Sequence, residues 1–176
     1  VSMLLHGEGD LIAYPLPITK EFKDSVTFCG EDIITHQVLV QRNGTKSQPA
    51  LTDVTQLIGK DIYAKPGKHF DRLSNLNNEL GGGIHIHPVN NDSISHEDLI
   101  MQVSNGTIDY AISDNDLARL NKTYYPQLNI NVAISFDQRS SWAVRHTSPQ
   151  LKDVVNQWHD ANITSPAYRA STKRYF

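Results

Sequence analysis

The chain has 176 residues, of which 39% are hydrophobic and 20% charged, and its 16 Lys+Arg against 19 Asp+Glu leave a formal net charge of −3. That balance speaks against a general nucleic-acid binder, which needs a basic surface, and apolar residues recurring along the whole length speak against a disordered tail. No apolar run reaches the ~18 residues of a membrane-spanning helix, and the single cysteine, Cys29, excludes an intramolecular disulfide and a multi-cysteine zinc site.

Residues 1–9 read as the second half of a helix, with Met3, Leu4 and Leu5 followed by the stop signals Gly7 and Gly9. A domain that opens in mid-helix reads as a piece of a longer polypeptide. Residues 10–14 form a short apolar strand that stops at Pro15 and Pro17, and Thr19 caps a polar turn through Lys23. Strands follow at 26–28 and 35–41, with Glu31 and Asp32 as loop charge between them, and 42–50 is a loop rich in Asn, Gly, Thr, Ser and Pro. Thr52 or Asp53 begins a helical turn that ends at Gly59. Residues 61–65 then form a strand, Pro66-Gly67 a tight turn, and 68–80 a helix closed by three glycines. A strand at 84–89 leads to a helix from its cap Ser95 to Asn105, a strand at 107–113, a helix at 115–120 and a strand at 128–135. One more strand, 141–145, precedes a helix over 149–162. Strands alternating with helices from 50 to 135 are the signature of βαβ crossovers, so the fold class is α/β with a mainly parallel sheet.

Two places suggest ligand chemistry. The turn Pro66-Gly67-Lys68 sets backbone N–H groups at a helix N-terminus, where the dipole favours an anion; equally, Gly67 merely permits a tight turn. Asp114 ends a strand on the edge where open α/β sheets take ligands; equally, Asp114 or Asp116 caps the helix that follows. His85 and His87 share one face of a strand, but no third ligand lies at short spacing, so they read as a solvent-facing edge pair. Cys29 reads as a small inert residue, and Asp109, Asp114, Asp116, Glu97 and Asp98 as caps and helix surface. No catalytic residue, metal or cofactor is expected.

Three stretches in order carry a resemblance. Gly9-Asp10-Leu11-Ile12-Ala13, continuing to Ile18-Thr19-Lys20-Glu21 and Val26-Thr27-Phe28, is the first; 57–67 and 106–114 are the others. Together they resemble the extracellular solute-binding proteins of family 3, which bind polar amino acids. Residues 109–115, Leu120-Asn121, 124–128 and 142–145 carry a narrower resemblance to the membrane-bound lytic murein transglycosylase F subfamily, where such a domain precedes a lysozyme-like catalytic domain. Tyr175-Phe176 is similar to the seam where that binding domain ends.

The resemblance implies a periplasmic-binding-protein-like type II fold with two lobes, lobe one being truncated at its N-terminus. Residues 1–37 would be the C-terminal part of lobe one, 38–134 lobe two, and 135–176 the return into lobe one, with hinges near 34–37 and 135–139. It further implies a periplasmic or outer-membrane-associated location and a small-molecule ligand, an amino acid or a peptidoglycan fragment. A C-terminal transglycosylase domain is an implied partner, and an incomplete lobe one leaves edges that a homodimer would cover. A free-standing amino-acid-binding protein of a transporter is the alternative. By position, Asp114 would grip the ligand's amino group and Gly67, Lys68 and His69 its anion, with Lys68 and His69 replacing small hydroxyl residues. In lobe one, Tyr14, Thr19 and Phe22 would line the ligand, but the family's Thr-x-x-Arg clamp departs here, since Phe22 stands in the arginine's place. A phenyl ring makes no fork to a carboxylate. Free amino acids are therefore expected to bind weakly.

Overall fold

The computed structural model describes residues 1–175, so the seam at Tyr175-Phe176 reaches outside the described residues. The chain divides into two units, one made of residues 1–35 with everything from 137 onward, the other of residues 36–136.

The first unit is built on three antiparallel strands, β1 (Leu11–Pro17), β2 (Val26–Thr35) and β8 (Gln138–Arg145), in the order β1-β8-β2. Side chains alternate across β8. Ala143 faces a cluster with Val26 and Leu4, the latter from α1 (Ser2–Leu5), and with Phe22 of α2 (Lys20–Ser25). Val144 and Trp142 face the other way, onto Cys29 and onto Val155 and Leu151 of α6 (Pro149–Asn162). A further helix, α7 (Pro166–Tyr175), follows.

Two expectations for this unit are corrected. Pro15 does not stop the first strand, which runs on to Pro17. β1 is an edge strand whose register shifts between Ile12 and Leu16, and a residue without an N–H is tolerated at such an edge. Glu31 and Asp32 are not loop charge. They lie inside β2 at a second register shift, between Cys29 and Ile33, where Gly30 takes φ +78°. The freed backbone groups there find side chains: Ser141 Oγ donates to the Cys29 carbonyl at 2.7 Å, and the Gly30 N–H donates to Asn156 Oδ1 at 2.8 Å.

The second unit holds β3 (Gln37–Arg42), a 3-10 turn (Val54–Leu57), β4 (Asp61–Ala64), α3 (Lys68–Glu79), β5 (His85–Pro88), α4 (His96–Asn105), β6 (Tyr110–Asp114), α5 (Asn115–Tyr124) and β7 (Leu128–Asn129). The strand order is β5-β4-β6-β3-β7. β4 runs parallel to β5 and β6, while β3 runs antiparallel to β6 and β7. The α/β class expected from the sequence is the one observed, but the sheets expected to be mainly parallel are mixed here and wholly antiparallel in the first unit. Crossover helices enforce parallel pairing only for β4, β5 and β6. Leu39, Ile62 and Ile112 bury one face of this sheet against Leu73 and Leu76 of α3. Val38, Val40 and Ala111 bury the other against Leu99, Ile100 and Val103 of α4 and Ala118 of α5. Each of the leucine, isoleucine and valine side chains among them contributes about 1.5–3 kcal/mol on leaving water. The strand expected over 128–135 shrinks to β7 plus a bridge between Val38 and Ala133.

Candidate functional site

β4 and β6 lie side by side and parallel, so their C-terminal ends open on the same edge of the sheet. After β4 the chain passes through Lys65-Pro66-Gly67 and enters α3; after β6 it enters α5 directly at Asn115. Gly67 sits at φ +99° and ψ −147°, a conformation that L side chains rarely adopt, although the space around it is open. Torsion, not crowding, requires glycine here. As N-cap it has no side chain to offer, so no side chain caps α3, whose first backbone bond runs from the Asp71 N–H to the Gly67 carbonyl at 2.9 Å. The amides of the first turn point out of the helix without intrahelical partners.

Asp114 stands at the N-cap of α5, yet its carboxylate makes no capping hydrogen bond. Instead it reaches across to α3: Lys68 Nζ donates to Oδ2 at 2.7 Å, and His69 Nε2 lies 3.0 Å from Oδ1. The Asp114 side chain is 25% exposed, that of His69 3%, that of Lys68 41%. Burial alone would push the carboxyl's pKa up, but the hydrogen bonds and charges of His69 and Lys68 outweigh it and hold the group at about 2. His96 meets His69 edge to face, with ring centroids 5.0 Å apart, and its own pKa is lowered by burial and then by the His69 charge.

Gln37, which sequence reasoning missed, completes the cluster. It starts β3 directly opposite Asp114 in the ladder and is fully buried. Its Nε2 donates to the Lys68 carbonyl at 3.4 Å, while its Oε1 has no partner among the described residues. A polar residue heading the apolar run Val38-Leu39-Val40 was the available signal. Gln41, at the far end of the same strand, differs in that its carboxamide exchanges two 2.8 Å hydrogen bonds with the Leu51 backbone.

The remaining residues singled out by sequence lie in the first unit. Tyr14 is exposed on β1. Thr19 caps α2, its Oγ1 accepting the Phe22 N–H at 3.3 Å. The Phe22 ring packs into the core with Leu4, Val26 and Ala143, so a hydrophobic contact occupies the position where the family pattern places arginine. His85 and His87, on the edge strand β5, both turn to Asp61, with His87 Nε2 2.7 Å from its Oδ1. Among the described residues no group of three or more His, Cys, Asp or Glu side chains is arranged to hold a metal ion. Cys29 is buried, and burial pushes its thiol's pKa up, away from a nucleophilic thiolate.

No family model matches the chain. It is 26% identical over 176 residues to the membrane-bound lytic murein transglycosylase F of Desulfosudis oleivorans, a match covering 99% of this chain and 37% of that protein. It is 30% identical over 147 residues to the protein of the same name from Saccharophagus degradans, covering 83% and 27%. The chain thus spans about a third of the length of these curated relatives. Among solved structures it is similar to a P235GK mutant of ArgBP from T. maritima, with TM-score 0.75, 22% identity, and coverage of 99% of this chain and 72% of that one. It is also similar to the substrate binding protein of an amino acid ABC transporter, with TM-score 0.73, 21% identity and coverage of 99% and 74%. At that identity the structural likeness establishes the fold: this chain is folded as the periplasmic binding proteins are.

Proposed function

We propose that this relative of the lytic murein transglycosylases F is a non-catalytic ligand-binding domain of a cell-envelope protein, and that it takes a small anionic or zwitterionic molecule between Gly67 and Asp114. The observation that carries this reading is the meeting of an uncapped helix N-terminus with Lys68, His69 and Asp114 at the C-terminal ends of two parallel strands. Oriented amides and a cation hold an anion by charge-assisted hydrogen bonds, and this edge of an α/β sheet is where such ligands lodge. The sequence relatives support a periplasmic or outer-membrane-associated location, a transglycosylase domain elsewhere in the same polypeptide, and a murein fragment as the ligand. The division into units at residues 35–36 and 136–137 supports reading the second unit as a complete ligand-holding lobe.

A second reading, a free-standing solute-binding protein serving a permease, is favoured by the likeness to the transporter protein. Calorimetric and thermal-shift titrations with polar amino acids and with soluble murein fragments separate the two. A fragment at 100 times its Kd adds about 2.7 kcal/mol of stability. Micromolar binding of a free polar amino acid supports the transport reading instead. Silence towards both classes refutes a ligand site at this edge.

A further inference from the structure

Both oxygens of Asp114 are occupied from within the chain. Lys68 Nζ sits 2.7 Å from one and His69 Nε2 3.0 Å from the other. Lys68 is the first residue of α3, so its ammonium is tethered to the same turn whose amides face the site. We propose that Lys68 is a built-in surrogate for a ligand's ammonium, so that this site takes carboxylates whose α-nitrogen is acylated in preference to free amino acids. The proposal rests on the ligand-binding reading above and specifies its substrate class.

Three features converge on it. A tethered group competes at an effective concentration in the millimolar range, so a free ammonium ligand at micromolar concentration meets an Asp114 already engaged. With that carboxylate matched by Lys68 and His69, what the α3 turn still offers is a set of donors, which suits the anionic end of a ligand and not its cationic end. The unpartnered Oε1 of Gln37, whose carboxamide is bonded to the Lys68 carbonyl and is buried from solvent, is a neutral acceptor lacking a donor. An acylated nitrogen keeps one N–H and carries no charge. It is the donor that a neutral carboxamide can take without an added ion. A free ammonium instead brings a charge that must displace Lys68 or remain unpaired, and both outcomes weaken binding.

The experiment compares L-alanine, N-acetyl-L-alanine and N-acetylmuramoyl-L-alanine by calorimetry on the wild-type chain and on Lys68→Ser. The Lys68 side chain is 41% exposed, so the variant leaves the core intact, and Lys68→Gln serves as a second variant whose thermal midpoint verifies folding. The expected result is a preference of at least about tenfold for the acylated compounds in the wild type, about 1.4 kcal/mol. Lys68→Ser should lose that preference and gain affinity for L-alanine, because Asp114 is then open to the ligand's ammonium. Equal or tighter binding of L-alanine by the wild type overturns the inference and leaves the ligand-binding reading standing. An unchanged preference in both variants overturns it as well. No binding of any of the three by wild type or variants overturns the inference and the ligand-binding reading together.

Discussion

The two ends of the second unit's sheet carry similar residues and do different things with them. At the C-terminal ends of β4 and β6, Asp114 meets a histidine and a lysine in a half-buried corner. At the opposite end, Asp61 meets two histidines in the open, beside a cavity of about 780 Å³ whose walls include Arg42, Lys60, Tyr63, Asp109 and Tyr110. That cavity lies at the end with less chemistry on offer. Arg42 Nη1 donates to the carbonyls of Val103 and Ile108, its Nη2 to Asp109, and Gln41 is closed on Leu51. Those polar groups are engaged in holding the fold, whereas the Asp114 corner keeps an uncapped helix start and an amide oxygen without a partner among the described residues. The hydrogen-bond inventory, and not the presence of a cavity, separates the two ends.

That contrast can be broken by substitution. Arg42→Ala has the largest expected effect, since it strips charged donors from two backbone carbonyls and should cost about 2–4 kcal/mol. Urea unfolding reads the loss, and the thermal shift caused by any ligand of the Asp114 corner should persist. A ligand response that disappears with Arg42 while the chain remains folded would mean that the ends are not independent.

Asp114→Asn comes next and is read through pH. The carboxyl's pKa in the folded chain, about 2, lies below its ordinary value of 3.8. Its contribution is therefore fully present above pH 3.8 and is lost as pH falls towards 2. The size is about 2 kcal/mol, from 1.36 kcal/mol per pKa unit. Acid unfolding of the wild type should show that loss between pH 4 and 2, and the Asn variant should be flatter across the same window. Parallel curves would show that Lys68 and His69 do not hold the carboxylate in solution.

Asp61→Asn has the smallest expected effect. Its pKa is also lowered, chiefly by the hydrogen bond to His87, but the group is solvent-exposed, where ion pairs contribute little. Its thermal midpoint at neutral pH should match the wild type's. A loss as large as that at Asp114 would place the two ends on equal footing.

The alternation of strand and helix was legible because periodicity and caps are local. Asp53 and Ser95 close capping boxes where the sequence put helix starts, and Gly106 ends α4 in the left-handed conformation. Partner choice between strands is not local. Nothing near Pro15 says that β1 is an edge strand, and nothing near Glu31 says that a bulge will accept it inside a strand. The site divides in the same way. Gly67 and Asp114 could be singled out from strand ends and turn chemistry, yet the direction of the Asp114 carboxylate depends on Lys68 and His69, some 45 residues earlier. The sequence marks Gln37 as a polar residue at the head of an apolar run, but only the ladder sets it opposite Asp114 and only packing buries it.

The strand order of the first unit constrains how the chain folds. β1 and β2 pair with β8, so Thr35 waits for Gln138 and Leu11 for Val144, with the whole second unit emerging between them. Closing a loop of roughly 100 residues costs about 4 kcal/mol of chain entropy. The second unit is continuous in sequence and meets that cost internally. Its first strand receives its last segment, with the Ile134 N–H donating to the Gln37 carbonyl at 2.8 Å and the Gln37 N–H to Ser135 Oγ at 2.9 Å. Once those bonds form, residues 35 and 137 emerge as neighbours, and β8 can insert between β1 and β2 as though the intervening hundred residues were a short turn. A ribosome releasing this chain would complete its middle before its beginning.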